Sequence, residues 1–172
     1  MLRATRRGFL VLGTGVAAIP RSRTPLAAVP QPRSEVILTV DGTIGIGDSA
    51  PPVQFDIEAL LGLGRTSLRT RTPFTEGELD FDGVLGSSVL DAVHARGQRA
   101  VALARNDYFV EIPLSDFRDW GVLLATHMDG RRLQLRDKGP LWVIYPWSQH
   151  PELDNRVTRQ KSIWQLYRLS VS

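Results

Sequence analysis

Three histidines, His94, His127 and His150, are the side chains best suited to acid–base or metal chemistry, and they stand far apart in the chain. No two of them have the spacing that brings a pair of ligands onto one helical face. A structural or surface role is expected for all three. Ser87 and Ser88 follow Gly86, but the run through Val89 does not complete the Gly-x-Ser-x-Gly elbow of a serine hydrolase. Asp80 and Asp82 flank Phe81 as paired carboxylates, an arrangement that on a polar turn is more often solvated than engaged in proton transfer. The chain has no cysteine at all, which removes thiolate nucleophiles, disulfides and thiolate metal ligands together. No catalytic residue and no metal ligand is therefore assigned.

The elements that must position any site alternate between strand and short helix. Val36 to Val40 forms a first strand closed by Asp41-Gly42. Phe55 to Gly62 carries helix punctuation at both ends: Asp56 as N-cap, Phe55 placed to staple onto Leu60, and Gly62 for a left-handed close. Arg65 to Thr72 alternates polar and β-branched residues, which fits a strand with one wet face or a loop. After Phe81-Asp82-Gly83-Val84-Leu85 a second helix is expected from Ser88 to Arg96, capped by serine and stopped at Gly97. Strands then follow at 100–104, 109–112, 121–126, 132–135, 141–145 and 163–171, with one helical turn near Ser115-Asp116-Phe117. Asp129-Gly130 is a strong hairpin signal, because both residues tolerate positive backbone angles. The periodicity by itself gives a mixed α/β chain of short strands and few short helices.

At 172 residues, 42% hydrophobic and 23% charged, the chain has the size and composition of one globular domain. Its formal charge of +3 misleads. Residues 1–28 hold five arginines and no acid, so without them 16 basic side chains face 18 acidic ones and the balance becomes −2. A nucleic-acid partner needs a basic face on the folded domain and is not expected. Those arginines suit an export signal: Thr5-Arg6-Arg7-Gly8-Phe9-Leu10 is similar to the twin-arginine consensus, and an apolar run to Ile19 leads to Leu26-Ala27-Ala28. The run is well short of the ~20 residues that span a bilayer. Three segments are expected: an export signal at 1–28, a proline-rich linker at 29–35 and a single domain at 36–172, placed in the periplasm.

The second half of the chain adds a family likeness. Asn106-Asp107-Tyr108, Ile112-Pro113-Leu114, Leu124-Ala125, Asp129-Gly130, Gly139-Pro140-Leu141, Tyr145-Pro146 and Lys161-Ser162-Ile163-Trp164 follow in an order that resembles the molybdopterin-binding domain of the sulfite oxidase family. The resemblance covers roughly residues 36–171. It implies an α+β domain of the sulfite oxidase fold, a mixed and partly barrel-like sheet with a few short helices. It also places the ligand cysteine of those enzymes about ten residues before Phe81-Asp82-Gly83-Val84, where this chain has Arg71, Thr72 and Pro73. A threonine hydroxyl is a hard, neutral donor and a poor molybdenum ligand. What the resemblance then implies is a free pterin as ligand, with no molybdenum. Tyr108 stands where the family has glycine.

For a pterin the family pattern singles out Asp107 as the carboxylate to meet the ring edge, beside Asn106 and Tyr108, although Asn-Asp equally favours a tight turn. Phe74, Tyr108, Tyr145, Trp147 and Trp164 are candidate aromatic faces. Trp147 is preferred, since it follows Pro146 in a polar loop where an exposed tryptophan has reason to cover something. Arg71, Lys138 and Lys161 are candidates to neutralise a phosphate, or plain surface charge, and Lys161-Ser162 keeps the family pattern best. The functional expectation is an exported, non-catalytic pterin-binding protein that signals to the periplasmic domain of a membrane sensor, of the kind coupled to a cyclic-dinucleotide enzyme. The loop 147–155 is the expected contact surface. Two alternatives stand beside it: a molybdopterin-dependent oxidoreductase with a non-cysteine metal ligand, and a structural or interaction domain whose ancestral pocket has closed.

Overall fold

The computed structural model describes residues 31–45 and 50–172, so the expected export signal at 1–28 lies outside the described residues. Two five-stranded sheets and a few short helices make a mixed α+β domain, with no closed barrel among the described residues. The first sheet has the order β2-β1-β10-β5-β6, from Val53–Phe55 (β2), Leu38–Gly42 (β1), Leu166–Val171 (β10), Arg99–Ala104 (β5) and Phe109–Pro113 (β6). β1 and β10 run parallel; the other pairs are antiparallel. The second sheet joins Arg65–Arg71 (β3), Glu78–Leu85 (β4), Leu123–Met128 (β7) and Arg131–Arg132 (β8), with Trp142–Ile144 (β9) paired to the first half of β7.

Period-two patterning explains most of these strands. In β5 the small residues Ala100, Ala102 and Ala104 are buried while their neighbours are half-buried or exposed. β9 is instead buried throughout, as a continuous Trp-Val-Ile run demands. In β3 the alternation is almost wholly polar because one face is wet: Arg65 and Arg69 reach the carboxylates of Asp82 and Asp80 on β4. Asp129 and Gly130 turn at φ +48° and +73°, the hairpin expected from their sequence.

Local signals mislead in several places. Helix α1 (Ile57–Leu61) takes Asp56 as its N-cap, but Gly62 stays right-handed at φ −63°, and the positive angle falls at Gly64. Helix α2 (Gly86–Ala92) starts two residues before the expected serine cap. A Cβ on Gly86 would lie 2.2 Å from the Phe117 ring, so tertiary packing rather than capping chemistry sets this start. Its end is closed by His94 at φ +48°, with the Ala95 N–H bonded to the Leu90 carbonyl, well before Gly97. The strand expected at 132–135 ends at Arg132 and gives way to a 3-10 turn, Leu135–Asp137. β10 begins at Leu166 because Gln165 has φ +55°; Trp164, before the break, forms an isolated bridge with Trp142 of β9. Helix α3 (Leu114–Asp119) holds the expected turn, whereas β2 and helix α4 (Arg156–Lys161) were not expected. Among the described residues no helix is long and apolar enough to cross a membrane.

The segment 162–166 ties the two sheets together. Val143 N–H donates to the Ile163 carbonyl at 2.9 Å, and Leu166 N–H to that of Leu141 at 3.0 Å. On the other side of the same crossing, α4 packs against β6.

Candidate ligand-binding cleft

A cleft of about 620 Å³ opens at this crossing, lined by Phe74, Asn106, Tyr108, Arg156, Arg159, Gln160, Ser162, Ile163 and Trp164. Four stretches build it: the turn after β3, the β5–β6 turn, one face of α4, and the segment linking α4 to β10. α4 forms because Asn155 caps it, its side-chain oxygen accepting the N–H groups of Val157 and Thr158 at 3.0 and 3.1 Å. The i, i+3 and i, i+4 relations then set Arg156, Arg159 and Gln160 on one face.

The aromatic wall is fixed by ring contacts. Phe74 meets Trp164 edge-on at 5.3 Å and Trp142 at 6.3 Å; Trp142 in turn meets Phe81 at 5.6 Å. Lys138 lies over Trp142 and Trp164, 5.2 and 5.9 Å from the ring centroids, so its charge is held by the cluster's π faces. Tyr108 closes the other side. Its hydroxyl donates to the Gln160 carbonyl at 3.1 Å, pinning the β5–β6 turn to α4.

Of the expected ligand residues, Phe74, Asn106, Tyr108 and Ser162 meet in this cleft. Asn106 has its side-chain oxygen engaged by Tyr108 N–H at 3.2 Å, which leaves its amide N–H groups for a ligand. Ser162 lines the wall but spends its hydroxyl on Val143, 2.7 Å away, and on the Trp142 indole N–H, 3.1 Å away. Asp107 turns at φ +64° and does not line the cleft. Arg71 is exposed, its backbone N–H bonded to Ser148 and its guanidinium 3.9 Å from Asp154. Lys138 is committed to the tryptophans.

The expectation of an exposed Trp147 is corrected. Trp147 is fully buried, with its indole N–H donated to the Leu153 carbonyl at 3.1 Å, because the loop folds back and the ring packs near Tyr145. Loop 147–155 therefore does not present a tryptophan for contact. Lys161 is likewise turned inward: its ammonium bonds Asp116 at 2.9 Å, beside the Tyr145 hydroxyl, which donates to the same carboxylate at 2.7 Å. Burial, and next the Asp116 charge, push the Tyr145 phenol far above its ordinary range, so it stays protonated and donates.

Five lining residues lay outside the selected set: Arg156, Arg159, Gln160, Ile163 and Trp164, of which only Trp164 stood among the aromatic candidates. The signal for the helical ones was present in Asn155 followed by a run compatible with helix. Arg159 is neutralised by Asp154, which its Nε and Nη2 approach at 2.9 and 2.8 Å. Arg156, exposed at the first turn, has no ion-pair partner among the described residues.

Thr72 sits beside the cleft and tests the fit of a metal. It is buried, and its hydroxyl accepts the Phe74 N–H at 3.1 Å and shares a 2.8 Å bond with Thr75. A hard hydroxyl already engaged twice does not fit molybdenum. Among the described residues no three histidine or carboxylate side chains converge as a metal site. At His127 burial first, and then Arg65, hold the imidazole below the ordinary range. The cleft is thus an aromatic slot with amide and guanidinium donors and, among the described residues, no carboxylate in its lining. Comparison of the chain with family models and with curated proteins gives no match.

Proposed function

We propose that this chain is a non-catalytic binding protein of the sulfite oxidase fold that takes a free pterin into the aromatic cleft. The observation that carries the proposal is the wall of Phe74, Tyr108 and Trp164 around a space of about 620 Å³; the family likeness supports it by putting the metal-ligand position near Thr72, whose hydroxyl accepts the Phe74 N–H. A flat bicyclic ring is well matched to such a slot, because stacking against aromatic faces gains dispersion and its polar edge needs a few fixed donors and acceptors. Asn106 and Gln160 supply those groups in place of the expected Asp107 carboxylate. The Thr72 hydroxyl helps hold the Phe74 turn.

The arginine-rich motif at residues 5–10 supports a periplasmic setting for this reading, and there binding without turnover must be reported by contact. A membrane sensor that binds loaded and empty forms with different affinity fulfils that need.

The test is titration of the purified domain with pterins, followed by tryptophan fluorescence, together with elemental analysis of protein from its native compartment. We expect one pterin per chain, quenching of Trp164, and no stoichiometric molybdenum. Molybdenum near one per chain with oxidase or reductase turnover would instead establish the oxidoreductase alternative. Absence of any small aromatic ligand would favour the interaction domain.

A further inference from the structure

Charge within the cleft is one-sided. Arg156 and Arg159 line it, and among the described residues no acidic side chain does. The two arginines are not equivalent, because Asp154 bonds Arg159 through two nitrogens and also faces Arg71 at 3.9 Å. The other cations near the site are likewise engaged: Lys138 by two indole rings and Lys161 by Asp116. Among the described residues, Arg156 alone of these five cations has neither an ion-pair partner nor a ring to lie on, and it stands at the cleft with its side chain open to solvent. A guanidinium left without a partner beside an apolar wall favours a ligand that brings its own anion.

Resting on the pterin reading above, we infer that the natural ligand carries an acidic substituent, a carboxylate or a phosphate, and that Arg156 binds it while the ring lies against Phe74, Tyr108 and Trp164. Uncharged pterins enter the same slot without that contact. The selectivity comes from α4, the element that carries Arg156 and Gln160 together on the cleft face.

Calorimetric titration with three probes separates the parts: pterin-6-carboxylate, the phosphate monoester of 6-hydroxymethylpterin, and uncharged 6-hydroxymethylpterin. Each is added to the wild-type domain, to Arg156→Gln and to Arg131→Gln, an exposed arginine of the β7–β8 hairpin outside the cleft. The wild-type domain should prefer an acidic probe over the uncharged one by about tenfold, the scale of one charge-assisted contact. Arg156→Gln should remove that preference, leave the uncharged probe within about twofold, and keep the wild-type circular dichroism spectrum; Arg131→Gln should change nothing. Preference for one acid over the other supports the inference and names the substituent. Equal binding of charged and uncharged pterins by the wild-type domain, or equal losses for all three probes in Arg156→Gln, overturns the charge inference and leaves pterin binding standing. Failure of all three probes to bind overturns the pterin reading, and this inference with it.

Discussion

At Asp107 the backbone turns at φ +64°, a conformation that asparagine and aspartate tolerate better than other residues with a Cβ. Its N–H bonds the Ala104 carbonyl at 3.1 Å, and the two neighbours, Asn106 and Tyr108, face the cleft. A residue with this job shapes the site without touching a ligand. Asp107→Ala should therefore lower stability by roughly 1 kcal/mol through left-handed strain, while pterin affinity stays within about twofold. Urea denaturation and calorimetric titration of the same variant measure the two effects separately. A tenfold loss of affinity with unchanged stability would return Asp107 to the ring edge.

Among the elements, the linker and α1 are coupled through one carboxylate. Asp56 is buried, and its oxygens accept the N–H groups of Ala59 at 2.8 Å, Arg33 at 2.7 Å and Ser34 at 3.0 Å, with the Ser34 hydroxyl at 3.2 Å. The Ala59 and Arg33 amides lead in lowering its pKa to about 2, against a smaller opposing effect of burial. A group whose pKa is lower folded than unfolded contributes stability above the unfolded value, about 4, and loses it as pH falls toward the folded one. Wild-type protein should thus lose stability between about pH 4 and pH 2, and Asp56→Asn should flatten that part of the curve while lowering stability at pH 7. Denaturant midpoints taken across the acid range test this. An unchanged acid limb in Asp56→Asn would show that other carboxylates dominate.

For the whole molecule, the decisive joint is the one that holds α4 over the gap between the sheets. Asp116 of α3 receives both the Lys161 ammonium and the Tyr145 hydroxyl, and the side chains of Lys161 and Asp116 are only 16% and 14% exposed. Removing one partner of a mostly buried pair leaves the other charge without compensation, so Lys161→Met should cost about 3 kcal/mol. Tyr145→Phe, which removes one neutral donor and keeps the ring, should cost about 1 kcal/mol. Both are read from urea midpoints. A Lys161→Met protein of wild-type stability that fails to bind pterin would place this lysine on the ligand instead.

Much was legible in order along the chain. The mixture of strands and short helices, the first helix with its Asp56 cap, the Asp129-Gly130 hairpin and most strands of the second half follow from period-two patterning and turn chemistry, which act between near neighbours; the strand expected at 132–135 and the early start of the last one do not. So does the absence of a thiolate, since composition alone removes it. Half-site information was there too: Phe74, Asn106, Tyr108 and Ser162 do come together. The fate of long polar and aromatic side chains was not, because a lysine, aspartate or tryptophan finds its partner through distant contacts. Lys161 meets Asp116 across 45 positions, and Trp147 is buried when its loop folds back onto the core. α2 begins at Gly86 because a ring from α3 leaves no room for a Cβ there. Local sequence determined which segments are strands and turns; tertiary packing decided which of their charges remain open to a ligand, because a charge is available only where no neighbour in space has already met it.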